Sequence, residues 1–268
     1  MKILHSAALA FCWGWFMFSG ATGASGLTAV NGGLALEIRD DGSLGAVRFN
    51  GGSLPLTGAP LFQIREVTEG VKGSVFRALT PVRVTSGGDS VVITEAGGGF
   101  EITATLSPVS AGVRINATVK SLERRDRALV LRWALPVDCA GWQWSGGLGE
   151  AHTIAAGGIE RFGNLATAKV RISEAGGVNS AARGGIGNGS YGDAAGMGEF
   201  SPYPFACVFS GKAGIGAGID LNRPVISRLL YLPGEGLAIE FDLGLSPHTF
   251  KFPNAAALSW VVFGVDPA

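Results

Sequence analysis

The sequence predicts an all-β protein built as one large antiparallel β-sandwich, on three observations. Apolar and polar residues alternate with a period of two along most of the chain, the pattern of strands that bury one face. The 43 glycines follow no Gly-X-Y repeat, so they mark turns, bulges and loops. Past the first 24 residues, no segment carries the apolar stripe of an amphipathic helix. A chain that is 47% hydrophobic and 16% charged is a packed globule. Its 21 basic and 21 acidic residues cancel, so no bulk field draws in nucleic acid or anionic lipid.

Taken in order, residues 1–24 read as a secretory signal. Lys2 supplies the positive start, Ile3 to Phe18 is mostly apolar, and Ser19 to Ala24 is small. Thr22 and Ala24 fit a cut before Ser25, so the domain is expected to run over 25–268, exported to the periplasm or beyond the cell. No later apolar run reaches the roughly 20 residues of a membrane span, so no membrane association is expected after cleavage. Leu34, Leu36 and Ile38 share a face, Asp41-Gly42 makes a tight turn, and Leu44 to Phe49 returns as the hairpin partner. Alternation continues at Val113–Lys120, Leu129–Leu135, Ile215–Leu221 and Leu237–Leu243. Further strands are expected at 61–67, 74–84, 90–95, 100–106, 167–172, 203–210, 225–232 and 257–265. These are too many for an immunoglobulin-type sandwich, and no Pro/Ser-rich linker divides the chain. The rhythm breaks at 139–164 and 174–201, the long loops where an all-β protein keeps contact surfaces.

The chemistry-bearing motifs mostly exclude. Gly187-Asn188-Gly189-Ser190-Tyr191-Gly192 fits the spacing of a dinucleotide turn. It lacks the strand before it and the helix after it, so no nucleotide cofactor is implied, nor any other cofactor. Of three histidines His5 leaves with the signal, and no paired Cys or His spacing suggests a metal. No G-x-S-x-G elbow appears. The turn Glu123-Arg124-Arg125-Asp126-Arg127 reads as a solvated connection between strands. Export permits a disulfide between Cys139 and Cys207, and buried free thiols are the simpler reading. Trp142-Gln143-Trp144 offers two indoles on one face of an extended segment, a platform for the C–H face of a sugar, or else a plug for the core. Glu150, His152 and Arg161 nearby are the candidate polar partners, and Tyr191 is the large side chain of the glycine-rich loop.

The opening hairpin, NGGLALEIRDDGSLGAVRFNGGSLPL, resembles the start of galactose-mutarotase-like β-supersandwich domains of bacterial carbohydrate-active proteins. The segment FSPYPFACVFSGKAGIGAGIDLNRP is similar to a passage of large exported proteins that carry such a sandwich ahead of a glycosidase-like barrel. The matching residues are Ser201, Tyr203, Pro204, Phe205, Gly216, Ile219, Asp220 and Pro224. LSWVVFGVDP resembles the strand that closes the domain just before the barrel. The resemblance implies a supersandwich without catalytic residues of its own, because the sequence stops at Ala268, where the barrel and its carboxylates would begin. The mutarotase Asn-His-x-x-x-Asn-Leu segment is missing.

Three readings follow. The first is an exported, non-catalytic, carbohydrate-contacting accessory domain of a glycoside-hydrolase-like protein, with a catalytic barrel downstream if the sequence is a fragment. The second is a carbohydrate-active enzyme, a sugar epimerase or glycosidase, using loop carboxylates such as Glu150 with His152. The third is a structural domain packed on a missing barrel, which would expose an apolar patch near the C-terminal strand and 139–164.

Overall fold

A computed structural model describes residues 25–28, 33–67, 75–147, 151–156, 159–163, 170–172, 203–223 and 225–266. Among these residues there are strands and no α-helix. In chain order the first ten strands are β1 (Ser25–Thr28), β2 (Leu34–Ile38), β3 (Leu44–Phe49), β4 (Gly52–Ser53), β5 (Phe62–Glu66), β6 (Arg77–Ala78), β7 (Thr80–Gly87), β8 (Ser90–Gly97), β9 (Phe100–Val109) and β10 (Gly112–Ser121). There follow β11 (Arg127–Leu135), β12 (Gln143–Ser145), β13 (His152–Thr153), β14 (Ile159–Gly163), β15 (Val170–Ile172), β16 (Phe205–Phe209), β17 (Gly214–Ile219), β18 (Ser227–Leu232), β19 (Gly236–Leu245) and β20 (Ala255–Val265). They form a four-stranded sheet β1-β2-β3-β4, a nine-stranded sheet β13-β12-β16-β17-β20-β10-β9-β8-β7, and a seven-stranded sheet β15-β14-β18-β19-β11-β5-β6. Each described strand pairing is antiparallel, as the alternation implies.

Among the described residues the expected strands are present with ends displaced by a few residues, except that 74–84 is divided: β6 joins the seven-stranded sheet and β7 the nine-stranded one, and residues 74 and 167–169 lie outside the described residues. The β2–β3 hairpin turns where Asp41-Gly42 required it. Gly42 takes φ 80°, a conformation only glycine adopts without strain, and the Asp41 carboxylate accepts from the Ser43 N–H at 2.9 Å and hydroxyl at 2.6 Å. The region 139–164 is less irregular than expected, because β12, β13 and β14 lie within it.

The core lies between the nine- and seven-stranded sheets. Trp260 of β20 is fully buried at its centre, with ring centroids 6.5 Å from Phe62, 5.6 Å from Trp133 and 5.3 Å from Phe241. Those three partners come from β5, β11 and β19, so one indole ties the sheets together with edge-to-face and tilted contacts. Among the described residues the Cys139 and Cys207 thiols are free, Cys139 buried and Cys207 half-buried.

In the nine-stranded sheet the alternation holds: β10 buries Val113, Ile115, Ala117 and Val119 and exposes Arg114, Asn116, Thr118 and Lys120. It fails in the seven-stranded sheet, where β5 and β18 are buried on both faces. The residues that alternation assigns to solvent there form a buried polar row, Gln63–Arg132–Glu240–Arg228, directly opposed across four strands. Arg132 holds Glu240 at 2.7 Å and Glu235 at 2.7 Å, and Gln63 donates to Glu235 at 2.9 Å. Arg228 binds Asp242 through both nitrogens, at 2.6 and 2.5 Å. The Phe76 ring caps Arg132 at 3.6 Å. Hydrogen-bonded pairing of this kind lets charges remain in a buried layer.

The 123–127 turn is likewise not wholly solvated. Arg127 is 4% exposed, bonded to both carboxylate oxygens of Glu66 at 2.8 Å and to the Gly98 carbonyl at 2.8 Å, and stacked 3.7 Å above Phe100. It anchors the turn, leaving Arg124, Arg125 and Asp126 exposed.

Candidate functional site

The site is built on the β16–β17 hairpin. In β17, Ile215, Ala217 and Ile219 point into the core, so Gly214, Gly216 and Gly218 fall on the outer face and leave a shallow strip with no side chains. At Gly216 the Phe263 ring fills the vacated space: a Cβ there would lie 2.3 Å from it. Further along the strip the register aligns Phe205, Gly218, Val261 and Arg114 in one row across β16, β17, β20 and β10. The row floors an open cavity of about 390 Å³, completed by Pro204, Ile219, Asp220 and Leu221.

Two polar groups stand over this apolar floor. Asp220 follows β17; its backbone N–H donates to the Ser259 carbonyl at 3.1 Å, and its Oδ1 accepts from the Asn222 N–H and side-chain amide, both at 3.0 Å. Hydrogen bonding from the Asn222 backbone holds this carboxyl below its ordinary value, against a smaller opposing effect of desolvation, so Asp220 is ionised at neutral pH. Arg114 is exposed on β10 and brings a planar set of donors to the cavity, where its charge also acts on the Asp220 carboxyl. Tyr203 packs against Phe205 with centroids 5.7 Å apart. An apolar floor with one acceptor and one donor group at its rim suits a small ring with one C–H face and hydroxyls at its edge.

Among the described residues, those singled out in the sequence lie away from this cleft: Trp142, Trp144 and His152 are neighbours on or beside β12 and β13, and Arg161 is on the other sheet. Trp144 is fully buried in the core from β12, so it presents no indole face to a ligand in this structure. Trp142 precedes the strand in a turn, where its N–H donates to the Cys139 carbonyl at 3.0 Å, and it packs half-buried against the same core. Of the two alternatives for the pair, sugar platform or core plug, the structure shows the plug. The shared-face rule applies within an extended segment, and β12 begins only at Gln143. His152 on β13 is half-buried and paired in register with Trp144. The backbone of Arg161 belongs to the other sheet, on β14 opposite Leu230. Glu150 and Tyr191 lie outside the described residues. Arg114 and the cleft role of Phe205 and Asp220 were missed. The available signal was the 200–224 passage, whose matching residues Pro204, Phe205, Ile219 and Asp220 all line the cleft.

No family model matches the sequence, and no curated protein matches it. Solved structures do align. A galactose mutarotase-like protein from Lactobacillus casei aligns with TM-score 0.46 and 11% identity over 91% of this chain and 100% of its own. A GH36 α-galactosidase from Geobacillus stearothermophilus aligns at 0.45 and 10%, over 90% of this chain and 40% of its own. An α-N-acetylgalactosaminidase from Bifidobacterium bifidum aligns at 0.45 and 12%, over 91% and 36%. The chain is thus similar to a galactose mutarotase-like protein and to a part of each of two larger enzymes. At these scores no residue role passes from them to this chain.

Proposed function

We propose that the chain is an exported, non-catalytic, carbohydrate-contacting accessory domain, and that its contact surface is the cleft between Arg114, Phe205 and Asp220. The observation that carries the reading is the cleft itself. An aromatic and glycine floor is set against one ionised carboxylate and one guanidinium, the groups that take the C–H face and the hydroxyls of a pyranose. Asp220 is the one carboxylate among its described lining residues, whereas glycoside hydrolysis uses two flanking carboxylates. Export rests on the sequence of residues 1–24, where Lys2, an apolar run and small residues before Ser25 have the form of a secretory signal.

The test is binding of the secreted chain to a glycan array, beside Arg114→Ala and Asp220→Ala variants. Each lost hydrogen-bonding partner should cost about 1–3 kcal/mol, roughly tenfold or more in affinity. Both side chains reach the surface, so the variants should retain the native thermal midpoint. Absence of binding to any glycan would end the reading, and turnover of a bound glycan would replace it with the enzymatic one.

A further inference from the structure

The apolar patch expected near β20 and 139–164 is met in part: among the described residues two large exposed apolar side chains lie in the loop leading into β20, and none at 139–147 or 151–156. The large exposed apolar side chains are Val75, Val82, Leu122, Leu221, Ile226, Phe250 and Phe252. Three of these gather at one end of the sandwich. The loop between β19 and β20 reads Ser246-Pro247-His248-Thr249-Phe250-Lys251-Phe252-Pro253-Asn254. Its neck is closed where the Ser246 N–H donates to the Phe252 carbonyl at 3.0 Å. Its base is fastened to the β10–β11 turn, because the Asn254 side-chain amide donates to the Ser121 carbonyl at 2.9 Å and the Ser121 N–H donates to the Asn254 carbonyl at 3.1 Å. That contact sets the loop beside Leu122. Phe250 is 106% exposed, Phe252 53% and Leu122 55%. A fully solvated phenylalanine on an anchored loop has a cost in water and no packing role in the fold.

The charges around these side chains are unevenly committed. Glu123 is tied to Arg125 at 2.6 Å and to Arg127 at 3.1 Å. Arg124 and Lys251 are exposed and have no ion-pair partner among the described residues, against Asp126 as the exposed acid of the same turn. Lys251 stands between the two phenylalanines, its ammonium 6.0 Å from the Phe252 ring.

We propose that this loop tip docks the domain onto a lipid bilayer, Phe250 and Phe252 entering the interfacial region while Lys251 and Arg124 meet anionic headgroups. Phenylalanine beside basic residues is the composition of segments that lie in a membrane interface. The shape decides against a folded partner. Three side chains on a narrow tip fall far short of the roughly 800 Å² per partner that a stable protein interface buries, whereas a bilayer deforms around single inserted groups. A search for about twenty consecutive apolar residues detects only spans, so two phenylalanines on a loop leave no such trace.

The experiment is co-sedimentation of the secreted chain with vesicles of phosphatidylcholine and of phosphatidylcholine with phosphatidylglycerol, comparing wild type, Phe250→Ser with Phe252→Ser, and Lys251→Glu. Wild type should pellet with the anionic vesicles, less so as salt rises. The double serine variant should lose at least about tenfold in partitioning, and Lys251→Glu should lose part of it. All three should keep the wild-type thermal midpoint, since these side chains bury little in the fold. Failure of wild type to bind either vesicle, or equal binding by the double serine variant, would overturn the proposal. So would self-association of wild type that the serine pair abolishes while vesicles have no effect.

Discussion

Glu95 sits on β8 with its side chain turned into the interior. It is 3% exposed, and its Oε2 is buried with no hydrogen-bond partner among the described residues. Its cross-strand neighbours are Ile102 on β9 and Pro81 on β7, neither of which can donate a hydrogen bond from its side chain. Burial pushes the carboxyl up from 4.5 to about 8, with no charged neighbour contributing. A carboxyl that binds its proton more tightly in the folded state stabilises the fold fully below its unfolded value of 4.5, and that contribution is lost as pH rises through about 8. The interval of about 3.5 pH units is worth roughly 5 kcal/mol, of which about 3 kcal/mol is already gone near neutrality, at 1.36 kcal/mol per unit. Replacing Glu95 with Gln or Met removes the titration and leaves all others in place. Urea unfolding followed by tryptophan fluorescence at a series of pH values would give the stability of both chains. The difference, variant minus wild type, should be flat below about pH 4.5, rise by about 1.4 kcal/mol per unit, and level off above about pH 8. A difference that stays flat across the whole range would refute the assignment of a buried, partnerless carboxyl.

Four further substitutions, in two matched pairs, probe the frame of the fold. Arg127→Met should cost about 3–5 kcal/mol in urea unfolding, because it leaves the Glu66 carboxylate buried without its bidentate partner. Glu123→Gln, whose carboxylate is part-exposed and screened by solvent, should move the unfolding midpoint far less than Arg127→Met. Gly112→Ala would place a Cβ 1.9 Å from the Val262 carbonyl, so β10 and β20 must separate. It should lose at least about 1–3 kcal/mol by the same measurement. Gly87→Ala, which meets only open space, is the matched control and should leave the midpoint nearly unchanged.

How far these features were legible in the sequence depended on which side of a sheet meets water. In β10 the outer face is solvated, so Arg114, Asn116, Thr118 and Lys120 alternate with buried residues as the period of two implies. In β11, β18 and β19 the outer face is buried as well, and Arg132, Arg228 and Glu240 read as surface residues although they form an ion-paired layer. Local sequence does not record that their partners lie on neighbouring strands, 14 positions away for Arg228 and Asp242 and 108 for Arg132 and Glu240. Arg127 escaped notice for the same reason, since Glu66 is 61 positions distant. The tryptophan pair failed differently. Periodicity says which residues share a face but not whether that face is core, and Trp142 lies outside the strand to which the rule applies. The cleft was half visible: Pro204, Phe205, Ile219 and Asp220 stood out together. The row joining them to Arg114 and Val261 exists only once β17 pairs with β20 and β20 with β10.

The most direct test of the cleft as a carbohydrate contact is a calorimetric titration of the secreted chain with the glycan that binds best on an array, repeated with Arg114→Ala and Asp220→Ala combined. Saturable heat from wild type, with affinity lower by at least about tenfold in the double variant at an unchanged thermal midpoint, is the expected result. Equal affinity in the two proteins, or no glycan bound by wild type, would contradict it.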